Sequence, residues 1–78
     1  MSFCHVHVQA TFTPSGAPRP HSLRWAGETL HVLDVGRCWV ADDGRHVLVR
    51  VADGRVFELR TDGARWWAAL RTPPSAWV

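Results

Sequence analysis

The sequence predicts an all-β fold, and three observations carry the prediction. Asp-Gly pairs recur at 43–44, 53–54 and 62–63, and the segments between them are rich in Val, Leu, Phe and Trp. Tight turns therefore join four strands into a meander over residues 43–71. Residues 3–12 alternate strictly between apolar and polar, as a half-buried strand does. No stretch sustains helical spacing over the dozen residues that a helix needs. Ala64 to Arg71 is the one rival, and its place straight after an Asp-Gly turn argues for a strand.

Taken in order, the first strand puts Cys4, Val6, Val8, Ala10 and Phe12 on one face and His5, His7, Gln9 and Thr11 on the other. The first set is expected to point inward. Residues 13–20, with three prolines and a glycine, read as a Pro-rich loop, because proline cannot donate to a sheet ladder. Ser22 to Val35 gives two short strands broken at Ala26-Gly27, where Gly27 allows the positive dihedral of a turn. Gly36 then invites a bulge before Arg37 to Ala41, so that one strand turns a corner. Residues 72–78 read as a C-terminal tail leaving the sheet at Pro73-Pro74, with Trp77 either folded back or free.

Hairpin loop length fixes which side chains share a face. A two-residue loop after Val51 would set Val49 against Glu58 and Val47 against Arg60, placing charge in the apolar row. A three-residue loop, Ala52-Asp53-Gly54, instead sets Val49 against Phe57 and Val47 against Leu59, with Gly54 left-handed in a bulge. The same length at Asp42-Asp43-Gly44 would bring Trp39 opposite Val47. At the third turn a two-residue loop, Asp62-Gly63, sets Leu59 against Trp66, whereas three residues turn Trp67 inward. Either way one of the two tryptophans faces outward.

At 78 residues the chain has room for one domain, 1–78. Such a chain buries only about 60–65% of the surface exposed on unfolding. Five Trp and three Phe enlarge a small core, but a single-layer sheet cannot hide them all, so aromatic surface remains for a partner. All nine formal cations are Arg, and the net charge is only +2 because seven acids are interspersed. That balance does not by itself mark a nucleic-acid protein. Cys4 and Cys38 are too few for a disulfide framework and are expected to be reduced fillers of the core. No apolar run reaches membrane-span length and no signal peptide opens the chain, so a cytoplasmic protein without membrane contact is expected.

The constellations that carry chemistry are few. His5 and His7 share a strand face, but neither a Cys-x-x-Cys pair nor a His-x-x-x-His spacing accompanies them, so no metal or other cofactor is expected. Serines lie in termini and loops, no nucleophile elbow or phosphate-binding glycine fingerprint occurs, and the turn aspartates have a structural use. No catalytic residue is assigned. The better candidate is arginine interleaved with aromatics. The central hairpin puts Arg50, Arg60 and His46 on its outer face, beside one outward member of the Trp66, Trp67 pair, with Arg37 and Arg65 on flanking strands. Guanidinium and indole suit protein interfaces, and they also suit phosphates and bases.

Six or seven short, twisted antiparallel strands most naturally close into a small SH3-like barrel, or stop as a half-open curved sheet. Across about residues 20–70 the order of motifs resembles a family of short, Trp-rich bacterial domains of unknown function. The motifs are Trp25-x-Gly27, Val32 and Val35 before Trp39, Gly54-x-x-Phe57-Glu58-Leu59, and Gly63 with Trp66 or Trp67. The resemblance implies a place near translesion DNA polymerase components, hence in DNA-damage tolerance. Many such relatives carry a longer Trp-rich insert between the Trp39 and Val47 strands, where this chain has only the Asp-Asp-Gly turn. The expectation is a non-enzymatic protein-interaction module, monomeric or homodimeric, that docks on a protein partner, with direct binding of single-stranded DNA or RNA through the Arg/Trp face as the alternative.

Overall fold

A computed structural model describes residues 3–71. Seven strands form one antiparallel sheet curled into a half-barrel: β1 (Cys4–Val6), β2 (Val8–Phe12), β3 (Pro18–Trp25), β4 (Glu28–Ala41), β5 (Gly44–Val51), β6 (Val56–Thr61) and β7 (Trp66–Arg71). The strand order is β1-β7-β6-β5-β4-β3-β2. The described residues contain no helix long and apolar enough to cross a membrane. The tail at 72–78, including Pro73-Pro74 and Trp77, lies outside the described residues.

The meander forms because its turns match its alternation. Val49 pairs with Phe57 and Val47 with Leu59, the register of the three-residue loop. The Val51 amide closes that loop on the Arg55 carbonyl at 3.0 Å, and Gly54 adopts φ +92°. Val47, Val49, Val51, Phe57 and Leu59 are fully buried and meet Val6, Leu23, Leu30, Trp66 and Ala68 in one core. Trp25 closes this core, its ring 4.9 Å from that of Phe57 and edge-on to it.

The other two turns differ from expectation. Ala41 pairs with Gly44 and Trp39 with His46, so the first loop has two residues, Asp42-Asp43, and Trp39 does not face Val47. Cys38 takes that place, as the two-residue loop dictates, and beyond it the register of β4 shifts between Val35 and Cys38, where Gly36 lies. The third loop has four residues, 62–65: Thr61 pairs with Trp66 and Arg60 with Trp67. Four residues preserve the parity of two. Trp66 therefore turns inward and Trp67 outward. The loop is held by the Asp62 carboxylate, which accepts the amides of Ala64 and Arg65 at 2.9 and 2.7 Å.

The alternating N-terminal segment is two strands rather than one. β1 pairs with β7, and β2 with β3, so the chain passes from one end of the sheet to the other across His7 alone. The alternation continues through the break, and Val6 and Val8 both contribute to the core. Likewise β4 pairs with β3 through residues 28–31 and with β5 from Val32 onward, turning the corner expected at Gly36 over two register shifts.

The Pro-rich loop is shorter than 13–20. Pro18 and Pro20 belong to β3, where residues 18–20 pair with β2, while β4 joins β3 only from Ser22. A proline is tolerated there because one side of the strand lacks a ladder partner. Single-sided pairing also explains the cysteines. Cys4, on a three-residue terminal strand, and Cys38, on the part of β4 that β3 does not flank, are both exposed rather than core fillers.

Candidate functional site

The outer face of the meander is organised by one cross-strand row. His5 of β1 pairs with Trp67 of β7, Trp67 with Arg60 of β6, Arg60 with His46 of β5, and His46 with Trp39 of β4. Cross-strand partners stand side by side, so five strands present a line of four rings interrupted by the Arg60 guanidinium. The Arg60 guanidinium lies 4.0 Å from the Trp67 ring centroid, and the His5 ring meets Trp67 edge-on at 6.0 Å. At the other end Trp39 stacks on His46 with centroids 5.2 Å apart and planes 14° from parallel. Phe3 bridges the middle, edge-on to His46 at 6.0 Å and 5.4 Å from the Arg60 guanidinium. Arg37 and Arg65 lie over Trp39 and Trp67 at 4.8 and 5.9 Å.

Beneath this row runs a polar network. His46 Nδ1 is 2.8 Å from Glu58 Oε2, and Nε2 is 2.7 Å from Asp43 Oδ1. An ionised carboxylate only accepts, so both bonds form together when both ring nitrogens carry hydrogen. Glu58 also receives the Arg71 guanidinium. Asp43 takes the Arg60 Nε at 3.6 Å, too far for a hydrogen bond, and the buried Nε has no other partner among the described residues. Arg60 Nη1 donates to the Asp43 carbonyl at 3.3 Å. The hydrogen bond from His46 holds the Asp43 carboxyl below its ordinary pKa, with the nearby charges of His46 and Arg60 adding to it.

The structure thus brings Arg37, Arg60, Arg65, His46 and Trp67 onto one face. Trp66 is not on it: only 8% exposed, it belongs to the core. His46 is on the face but is buried rather than presented, because Glu58, Asp43, Trp39 and Phe3 surround it. Arg65 sits in the loop before β7, not in a strand. Arg50 points outward two residues along β5 from the row's neighbour Leu48 and pairs with Asp34 across the β4–β5 ladder. Sequence reasoning missed Phe3, His5, Trp39, Asp43 and Glu58 as members of the site. A signal existed for Glu58, because once Val47 faces Leu59, His46 faces Arg60 and Glu58 lies diagonally on the same face.

Most arginines on or near this surface already meet acids. Besides Arg60 and Arg71, Arg55 pairs with Asp53 at 2.7 Å and Arg65 with Asp62 at 3.8 Å. Among the described residues no group of three or more His, Cys, Asp or Glu is arranged to hold a metal ion. Comparisons with protein-family models, curated proteins and solved structures find no match to this chain.

Proposed function

We propose that the chain is a non-enzymatic protein-interaction module that docks through the outer row from Trp39 to Trp67 with its flanking Arg37 and Arg65. The observation that carries the reading is the occupancy of the indole faces by guanidinium and imidazole groups. Arg60 already covers Trp67, and Arg37 and His46 flank Trp39. A nucleic acid needs free π-faces for its bases and unpaired cations for its phosphates. Neither is in good supply on this face. A protein partner needs half-buried, rigidly held aromatic and arginine side chains around a dry centre, which is the composition of interface hot spots.

The non-enzymatic part of the reading is supported by His46, whose two ring nitrogens are both engaged by carboxylates and so are not offered to a nucleophile or substrate proton. The free, exposed Cys4 and Cys38 are compatible with a cytoplasmic setting. The resemblance over residues 20–70 points to a partner within a DNA-damage-tolerance assembly.

The test is a pair of titrations at low and high salt. A protein partner retained by the immobilised chain at high salt, and released by Trp67→Ala, supports the reading. Saturable binding of single-stranded oligonucleotides that falls steeply with salt and depends on Arg37 and Arg60 overturns it in favour of nucleic-acid binding.

A further inference from the structure

A second feature lies where the two ends of the sheet meet. The passage of the chain across His7 leaves an open groove of about 950 Å³ between β1, β2, β3 and the loop before β7. Its floor is apolar, made by Val6, Leu23 and Trp66 from the core. Its walls carry Arg24, Arg65, His5, His7 and His31, and among the described residues no carboxylate lines it.

The register explains why these side chains gather. Val6 pairs with Trp66 and Val8 with Leu23. Continuing each ladder by one residue sets His7 across from Arg65 on one side and from Arg24 on the other, and the Arg24 amide indeed donates to the His7 carbonyl at 2.9 Å. Among the described residues the guanidinium of Arg24 reaches only the Gly27 carbonyl, at 3.4 Å. Arg65 has a loose contact with Asp62 at 3.8 Å and a side chain 70% exposed, which a better-placed carboxylate displaces at little cost. Ser22, which is 8% exposed, also lines the groove, and its hydroxyl bonds to no other described residue.

We propose that this groove binds an acidic peptide segment of a partner protein, seating one apolar side chain on Val6, Leu23 and Trp66 and its flanking carboxylates on Arg24 and Arg65. Charge complementarity identifies the occupant: guanidinium forks flank an apolar floor, and the described lining contains no acid to repel the ligand. A nucleic-acid strand fits less well, because successive bases need several stacking platforms and the described lining offers a single indole, Trp66. The groove shares His5 and Arg65 with the outer row, whereas Arg24, His7, Leu23 and Trp66 belong to the groove alone, and its occupancy does not require the row to bind anything.

The test uses the full chain and fluorescein-labelled peptides with one Leu flanked by Asp and Glu, read by anisotropy. Saturable binding is expected, lost when the acids are replaced by Gln or the Leu by Gly. Arg24→Glu and Arg65→Glu each weaken it about tenfold or more. Both side chains are exposed, and melting curves establish that the variants are folded. Arg19→Glu, at an exposed site on β3 outside the groove lining, and Trp39→Ala, in the outer row, leave binding unchanged. No saturable binding, binding indifferent to both groove variants, or a preference for oligothymidylate over the peptides overturns the proposal. Loss on Trp39→Ala with the groove variants silent overturns it too, assigning the peptide to the outer row.

Discussion

Arg60 and Trp67 face each other across the β6–β7 ladder with the guanidinium carbon 4.0 Å from the ring centroid, while the buried Arg60 Nε has no hydrogen bond among the described residues. Stacking, rather than the 3.6 Å approach to Asp43, therefore holds this arginine. A double-mutant cycle with Arg60→Ala and Trp67→Ala is expected to give a coupling of about 0.5–1 kcal/mol in urea unfolding. The coupling should survive high salt. If it disappears on adding salt, the ion pair and not the ring carries the interaction.

Gly44 starts β5 at φ +126°, and a Cβ built there would lie 2.3 Å from the Thr61 carbonyl oxygen of the neighbouring strand. Gly54 has φ +92° but no atom near that position. Gly54→Ala therefore meets only the left-handed backbone penalty, about 1–2 kcal/mol. Gly44→Ala must also push two hydrogen-bonded strands apart, adding at least ~1 kcal/mol. Chemical denaturation of the two variants checks the order, and equal losses would refute the close approach.

These two glycines also show what the sequence could and could not reveal. The loop ending at Gly54 was legible because only one length keeps Glu58 and Arg60 out of the row of Val47, Val49, Phe57 and Leu59. At Gly44 the same logic had no charge to avoid: Trp39 looks equally apt opposite Val47 or His46, and the deciding contact comes from Thr61, seventeen residues on. The break at His7 was hidden because Val6 and Val8 keep their phase while changing partners. His46 looked like a surface residue because its burial depends on Glu58, Trp39 and Phe3, which converge only after the sheet curls. The inward Trp66 and outward Trp67 followed from alternation, but which was which turned on a loop lengthened by Asp62 gathering two amides.

Ala26 holds φ +50° at the first position of the two-residue turn between β3 and β4. Its side chain is exposed and tolerates that conformation poorly, whereas Asn adopts it readily. Ala26→Asn is expected to stabilise the fold by about 0.5–1 kcal/mol. A rise in Tm checks this. A fall would mean that the turn has a geometry other than the one these dihedrals describe.

Glu58 is 6% exposed and shared between His46 and Arg71. Truncation to Ala removes the acceptor that both groups use and leaves a cavity beside buried Leu48 and Ala69, its partners across the ladders. The expected loss is about 3 kcal/mol. Because the same carboxylate fixes the ring under Trp39, Glu58→Ala should also broaden the Trp39 and His46 NMR signals. A stable variant with sharp signals would show that the stack positions His46 unaided.

Acid should destabilise the protein chiefly through its turns. The carboxyls of Asp43, Asp53 and Asp62 are all held below their ordinary pKa: Asp43 by the hydrogen bond from His46, Asp53 by the Arg55 side chain and then its amide, and Asp62 by the amides of Arg65 and Ala64. A pKa lowered in the folded state means that the unfolded chain binds protons first as pH falls. The stability is therefore fully present above the unfolded-chain value, about 3.9, and is lost as pH drops through the lower folded-state values. Tm should be nearly flat from about pH 7 to about pH 5 with respect to these groups and should fall steeply below about pH 4. Asn keeps a carbonyl to accept the amides but cannot be protonated in this range. The combined variant Asp43→Asn, Asp53→Asn and Asp62→Asn should accordingly start less stable at neutral pH and show a shallower acid limb. If the limb keeps its full slope, the turn carboxylates do not carry the acid response.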